Sequence, residues 1–525
     1  MSSPDPILSV SGLKVALPRG ADRPFAVEDA SFELRRGEIL CIVGESGSGK
    51  SVLASAVMGA PPRGLKTTGG KIALRGEDLT ALPESALRRI RGNRIAMIFQ
   101  EPMAALNPAI KVGKQIEEVF ELHGSVPAAE RRERMLGLLK SMQLPDPQRI
   151  ADSYPHKLSG GQCQRVIIAM ALAMNPEVLI ADEPTTALDV TTQAQVLKLI
   201  RELRDAHGHG ILFITHDFGV VAEIADRIAV MQSGRIVEIG EAKQVLTNPT
   251  HPYTQGLIAA VPSLVPAPKQ TVAHECVLSA ENLCKTYGNT RAVDGVSLRL
   301  ERGMTMAIVG ESGSGKTTVA RLLVRLVEPT GGRTEVNGTD FLKLKGGELQ
   351  KRRRTIQMIF QDPFGSLNPK RKVGDIIARA AMLAGATPEA ARAKARNLLE
   401  RVGLSAEAYG RRPAAFSGGQ RQRIGIARAL AMGPEILIAD ESVSALDVSV
   451  QAQILDLMRE LQDELGLAIL FITHDLRVAA QISDEVAVMK NGKIVEKGPV
   501  EAVLTRPTDP YTRELIEAAP GRGIV

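Results

Sequence analysis

Two α/β domains in tandem, each around a largely parallel sheet, are what this sequence predicts, and three observations lead there. The chain has 525 residues, too many for one ordinary domain and enough for two with substantial cores. Its second half repeats the first, motif by motif and in the same order. Within each half, apolar β-rich runs such as EILCIVG, VLIADE and GILFITHD alternate with helical segments such as TTQAQVLKLIRELRDA. That rhythm is the one of strands joined by crossover helices.

The repeat sets the organisation. GESGSGKS at 44–51 returns as GESGSGKT at 310–317, and IFQEP around Gln100 returns as IFQDP around Gln361. LSGGQ returns as FSGGQ, LIADE and FITHD return unchanged, and the tail NPTHPYT returns as RPTDPYT. The position pairs 159/417, 182/440, 216/474 and 253/511 keep one constant spacing, so no net insertion or deletion separates them. The spacing is wider at 50/316 and 100/361, which marks length changes nearer the start. The joint lies near 262–276, PSLVPAPKQTVAHEC, where Pro and polar residues interrupt periodic structure. Domain one thus covers 1–264, a linker 265–275, and domain two 276–525. Each half closes with a predicted hairpin, turning at Ser233–Gly234 and at Asn491–Gly492. The stretch between the IFQ strand and SGGQ reads as mostly helical, a separate subdomain on the α/β core.

Composition excludes several classes. The chain is 44% hydrophobic and 24% charged, with a formal charge of +6. Its basic runs, RRIRGNR at 88–94 and KRRR at 351–354, are short, Trp is absent and aromatics make up 3%. A nucleic-acid binder shows a longer basic stripe or stacking aromatics, so none is expected. The most apolar run, Val166 to Met174, is nine residues, far short of the roughly 18–20 that span a bilayer. It reads as a core helix. The N-terminus MSSPDPILSV lacks the pattern of a signal peptide. Cys41, Cys163, Cys276 and Cys284 show neither CxxC pairing nor metal-ligand spacing, which fits a reduced cytoplasmic protein. Any membrane must be crossed by other subunits.

Chemistry enters with the glycine-rich motif, GxxxxGK followed by Ser or Thr, after a β run and before a helix. It comprises Gly44, Glu45, Ser46, Gly47, Ser48, Gly49, Lys50 and Ser51, with Val52 next, and Gly310, Glu311, Ser312, Gly313, Ser314, Gly315, Lys316 and Thr317, with Thr318 next. The glycines let successive backbone N–H groups turn inward on phosphates, and the helix that follows adds the positive end of its dipole. Lys50 and Lys316 supply point charges to the terminal phosphates, and Ser51 and Thr317 can ligate Mg²⁺. LIADE ends a buried strand with two carboxylates. Asp182 and Asp440 are expected to hold Mg²⁺ as hard oxygen ligands, while Glu183 and Glu441 polarise the attacking water.

Together with SGGQ, the TALD and SALD segments and a lone His after FIT, these motifs resemble the ATP-binding-cassette (ABC) family over nearly the whole chain. The fold that this implies is two tandem P-loop ABC ATPase domains, each a mixed-sheet α/β core with an antiparallel β part and a helical subdomain. The resemblance also implies that Ser159, Gly160, Gly161 and Gln162, and Ser417, Gly418, Gly419 and Gln420, open helices whose N-termini cap the γ-phosphate held by the opposite domain. Two composite ATP sites follow, Lys50 with Ser417 and Lys316 with Ser159. His216 and His474 contact the γ-phosphate, Gln100 and Gln361 touch Mg²⁺ and the water, and Asp189 and Asp447 cross the interface. Both halves keep the glutamate, the histidine and SGGQ, which speaks against a regulatory protein that does not hydrolyse ATP. Three positions depart between halves. DEP becomes DES at Ser442, an expected neutral change. Cys163 stands where the second half has Arg421, and reads as a small packed residue. Tyr287, in LCKTY, sits where the family places an aromatic under adenine, whereas the matching residue in LKVAL is Leu17 and Phe25 does not align cleanly.

NPTHPYTQGLI and RPTDPYTRELI, with QEPMAALNP and QDPFGSLNP, resemble the cassettes of peptide and nickel importers. That likeness implies an importer ATPase at the cytoplasmic face of the inner (plasma) membrane, working with two integral-membrane permease subunits and a periplasmic or extracellular solute-binding protein. ATP and Mg²⁺ are the expected cofactors, and no iron–sulfur cluster is expected. The competing class is a soluble tandem ATPase acting on ribosomes or DNA, which would carry a long basic interdomain arm or zinc cysteines.

Overall fold

A computed structural model describes residues 5–124, 126–186, 188–266, 275–444 and 446–521. Most of the linker expected at 265–275 lies outside these described residues. The chain divides into two compact units, Met1–Leu188 with Thr192–Val261 and Pro520–Val525, and Pro262–Ala519 with Asp189–Thr191.

The first unit holds a six-stranded sheet in the order Arg235–Glu241, Arg227–Gln232, Ile39–Val43, Gly210–Ile214, Val178–Asp182 and Ile95–Ile98. All neighbours pair in parallel except the hairpin Arg227–Gln232/Arg235–Glu241. That hairpin turns on Ser233 and Gly234, both at positive φ (48° and 90°), as a tight two-residue connection requires. The central strands are buried along their whole length, which explains their continuous apolar runs. Their side chains still alternate between two cores. Ile39, Cys41 and Val43 join the cluster beneath the helical part, with Phe213 and Val166. Leu40 and Ile42 face an antiparallel sheet of Phe25–Leu34, Leu8–Ala16, Lys66–Leu74 and Glu77–Asp78. Between Ile98 and Ser159 the chain forms the helices Pro102–Ala105, Val112–His123, Ala128–Ser141 and Pro147–Ala151, the expected helical subdomain.

The second unit repeats this plan. Its six-stranded sheet runs Ile356–Ile359, Ile436–Asp440, Ala468–Ile472, Thr305–Val309, Glu485–Lys490 and Lys493–Pro499. Thr290–Glu301, Cys276–Tyr287, Gly331–Val336 and Thr339–Asp340 form its antiparallel sheet. Met306 and Ile308 face one core while Ala307 and Val309 face another. Two short helices close each unit, Ala242–Thr247 and Pro252–Ala259 in the first, Val500–Thr505 and Pro510–Ala518 in the second. Among the described residues no helix is long and apolar enough to cross a membrane.

Candidate active site

Each six-stranded sheet brings two chemical groups to the ends of strands separated by one strand. Ile39–Val43 runs into the phosphate loop, and the helix Lys50–Val57 leaves it. Gly44 and Gly49 take φ of 151° and 106°. A Cβ on Gly44 would lie 2.1 Å from the carbonyl oxygen of Met231, and one on Gly49 2.3 Å from that of Ala26, so only glycine fits. The hairpin turn backs the loop, with the Gly234 N–H donating to the Ser48 carbonyl at 2.8 Å. Lys50 is 5% exposed. Its ammonium donates to the carbonyls of Gly44 and Glu45 at 2.7 and 2.9 Å. The second unit matches it: Lys316 donates to the carbonyls of Gly310 and Glu311 at 2.8 and 2.7 Å. Burial lowers the Lys316 pKa, against the pull of Glu441 and Asp440. Ser46, Gly47, Ser312 and Gly313 are exposed at the loop tips, while Val52 and Thr318 are half-buried on the helices behind. The hydroxyls of Ser48 and Ser314 are buried and have no hydrogen-bond partner. Buried polar atoms are nearly always satisfied, so each loop carries one unmet hydroxyl.

The strands Val178–Asp182 and Ile436–Asp440, each one strand removed from the strand that enters the loop, bring the carboxylates. The Ser51 hydroxyl donates to Asp182 Oδ1 at 3.1 Å, and that of Thr317 to Asp440 Oδ1 at 3.0 Å. Burial pushes the Asp182 carboxyl up to about 6, with Glu183 adding to the rise and Ser51 and Lys50 opposing it. Asp440 shifts the same way, also through burial first. A hydroxyl beside a buried carboxylate whose charge is poorly solvated is a hard oxygen pair that fits a divalent cation such as Mg²⁺.

One residue on, Glu183 and Glu441 adopt left-handed backbone, φ 47° and 43°, which points them away from the aspartates. Gln100 Nε2 donates to Glu183 Oε2 at 2.8 Å, and Gln361 Nε2 to Glu441 Oε2 at 2.6 Å. His216 Nδ1 lies 3.3 Å from Glu183 Oε1, and His474 Nδ1 3.7 Å from Glu441 Oε1. Burial works to raise the Glu183 pKa, but the hydrogen bond and charge of His216, with the Lys50 charge and the Thr186 hydrogen bond, together hold the carboxyl below its usual value. Glu441 behaves alike with His474. Glutamate, glutamine and histidine thus meet in each unit, with the carboxyl held toward its ionised form.

Ser159 and Ser417 each N-cap a 13-residue helix, Gly160–Leu172 and Gly418–Leu430. In both, the serine hydroxyl accepts from the backbone N–H of the glutamine three residues on, and that glutamine (Gln162, Gln420) accepts from the serine N–H. This capping box leaves the first helical N–H groups, at the glycines, unclaimed by the box. A Cβ on Gly161 would sit 2.5 Å from Thr192 Cγ2, and one on Gly419 2.3 Å from Val450 Cγ1. Asp447 immediately precedes the helix Val448–Leu465, and Asp189 the helix Val190–His207. Thr191 donates to Asp189 Oδ1 at 2.9 Å.

Tyr287 is 48% exposed, with Lys285 Nζ 5.1 Å from its ring centroid. The corresponding end of the first unit differs. Tyr287 pairs directly with Thr290, whereas the strand Leu8–Ala16 ends at Ala16 opposite Phe25. Leu17 donates to the Pro24 carbonyl at 2.9 Å across a longer loop. That loop carries Arg23, whose guanidinium donates to the Gly47 carbonyl of the phosphate loop. Nothing in the motif pattern marked Arg23; the extra residues between LKVAL and AVEDAS were the available signal. Also missed were Tyr253 and Tyr511, whose hydroxyls reach the phosphate loops. Cys163 is buried, and burial raises its thiol pKa. Its counterpart Arg421 donates to the Pro413 carbonyl at 2.8 Å. Ser442 is buried with its hydroxyl unpaired.

The sequence matches the family model for ABC transporters over residues 27–186 and again over 293–444. The chain belongs to the ABC transporter family. A second model, the C-terminal region of oligopeptide/dipeptide transporters, matches residues 237–282 and 495–523, behind each cassette. Among similar curated proteins is the peptidoglycan transport ATP-binding protein YejF of Agrobacterium fabrum, 45% identical over 98% of this chain and 96% of that protein. The glutathione import ATP-binding proteins GsiA of Shigella dysenteriae serotype 1 and of Salmonella typhimurium are each 46% identical, over 98% of this chain and 89% of theirs. The two cassettes are ATP-binding domains that couple ATP hydrolysis to transport. These relatives do not favour the soluble tandem ATPase on ribosomes or DNA.

Proposed function

We propose that this chain energises a binding-protein-dependent importer for peptides or related small solutes from the cytoplasmic face of the membrane. Two permease subunits would form the path, and a solute-binding protein outside would deliver the cargo. The observation that carries this reading is the oligopeptide/dipeptide transporter C-terminal region, present behind both cassettes. Relatives named for glutathione import and peptidoglycan transport support a cargo of peptides or related small solutes.

Within each cassette, Lys50 and Lys316 with their loops would bind the ATP phosphates. Asp182 with Ser51, and Asp440 with Thr317, would hold Mg²⁺, which supplies charge neutralisation at the phosphates when bound. Glu183 and Glu441 would take a proton from the attacking water, ordered by Gln100 and Gln361, with His216 and His474 keeping each glutamate ionised and in place. The signature helices opened by Ser159 and Ser417 would cap a γ-phosphate with their N-termini, as the family resemblance implies. The test is affinity purification of the tagged chain from detergent-solubilised membranes, followed by reconstitution. Co-purifying permeases and peptide-stimulated ATPase activity are expected. Ribosomal proteins or DNA in their place would refute the importer reading.

A further inference from the structure

Near the start of each closing helix, Pro252–Ala259 and Pro510–Ala518, a tyrosine touches the phosphate loop. The Glu45 N–H donates to the Tyr253 hydroxyl at 3.1 Å, and the Glu311 N–H to the Tyr511 hydroxyl at 3.2 Å. These contacts close over 208 and 200 residues of sequence. The N–H of Glu45 and the carbonyl of Gly44 belong to one peptide plane. That carbonyl receives the Lys50 ammonium at 2.7 Å, and the Gly310 carbonyl receives that of Lys316 at 2.8 Å. A single amide is therefore gripped at both ends, by the tail tyrosine on its N–H and by the phosphate lysine on its oxygen.

The tyrosine is itself held. Glu238, on the last hairpin strand, accepts from the N–H and hydroxyl of Thr250 at 2.8 and 2.9 Å and from the N–H of His251 at 3.1 Å. Glu496 does the same for Thr508, at 2.8 and 2.8 Å, and for Asp509, at 3.2 Å. His251 and Asp509 then cap the tail helices, accepting from the N–H of Tyr253 and Tyr511. Tyr511 is buried, and Lys490 Nζ lies 4.1 Å from its ring centroid.

We propose that Tyr253 and Tyr511 are positioning residues of the two nucleotide sites. They fix the Gly44–Glu45 and Gly310–Glu311 amides, so each loop keeps its phosphate-ready shape and its lysine stays parked before nucleotide arrives. The tail thereby becomes a handle on the site: whatever displaces its helix frees the amide and weakens ATP binding without touching the reacting groups. This rests on Lys50 and Lys316 being the phosphate lysines.

The experiment uses the full chain with one site silenced, Tyr253→Phe in a Lys316→Ala background and Tyr511→Phe in Lys50→Ala. Losing one such hydrogen bond should weaken MgATP binding about fivefold. KM for ATP should rise in parallel, with kcat at saturating ATP and the melting temperature nearly unchanged. An unaltered Kd and KM would overturn the proposal, as would a loss confined to kcat. The double variant Lys50→Ala with Lys316→Ala is the control. If it still binds MgATP, the lysine assignment fails instead. Should either tyrosine variant melt too early to assay, hydrogen exchange on the wild-type chain decides. The Glu45 and Glu311 amides must exchange slowly without nucleotide, and fast exchange at both overturns the proposal.

Discussion

Replacing Asp182 by Asn should stabilise the nucleotide-free, metal-free protein while destroying its response to Mg²⁺. Burial pushes the Asp182 carboxyl from an ordinary 3.8 up to about 6. The residue is 5% exposed, so solvent does little to soften the cost. A shift of roughly two pK units corresponds to ~3 kcal/mol of preference for the protonated form. The folded unit holds this proton at pH values where the unfolded chain has lost it, so stability falls as pH rises from near 4 to about 6. Above that window the whole cost is carried by the folded state. Asn keeps an oxygen for the Ser51 hydroxyl and removes the charge. For a unit of this size the gain is worth roughly 5–10 °C in melting temperature. Calorimetry in EDTA at pH 7.5 should show that rise in one transition, shrinking as pH is lowered toward 4. Added MgATP should reverse the order, since only the wild-type aspartate gains from the cation. An unchanged melting temperature at pH 7.5, or an equal gain at both pH extremes, would refute the reasoning.

Other expectations follow from the same geometry. Glu183→Gln with Glu441→Gln should retain ATP binding and lose turnover by roughly 10²–10⁴-fold, read by equilibrium nucleotide binding beside steady-state hydrolysis. Because Gly44 and Gly310 pass 2.1 and 2.2 Å, at Cβ, from the carbonyls of Met231 and Met489, alanine at either should abolish nucleotide binding at its own site, measured with the other lysine removed. Tyr287→Ala should weaken ATP at the second site by about 5- to 150-fold, the worth of one stacked base. Leu17→Ala should leave the first site nearly unchanged by the same titration. Equal affinity at both wild-type sites with loss on Phe25→Ala would instead make Phe25 the stacking residue.

Much of the site could be read from the chain because its groups are local. A phosphate loop needs glycines at fixed steps, and a strand-end Asp-Glu pair is two consecutive letters. Its partners across the fold were legible only through the family pattern. That Gln100 bonds Glu183 depends on the parallel register of neighbouring strands, and that Ser51 bonds Asp182 on the strand order that sets Val178–Asp182 two places from Ile39–Val43; no local spacing encodes either. The tail tyrosines show the limit best. PYT was visible as a repeated segment, yet the contact of Tyr253 with Glu45 depends on how the tail helix packs after the last hairpin. Arg23 was hidden for the opposite reason: it sits in extra residues with no counterpart in the second half to compare.

The left-handed backbone of Glu183 and Glu441 bears on how tandem cassettes age. Such a conformation costs a non-glycine residue on the order of 1–3 kcal/mol, and glycine would relieve it. Random substitution at either position can therefore drift downhill in folding free energy while silencing that half. A duplicated chain could take that step once and still hydrolyse ATP at the other copy. Here both halves hold glutamate at φ 47° and 43°. Each copy carries that local cost, which is the cost the proposed role of both glutamates as bases would have to outweigh.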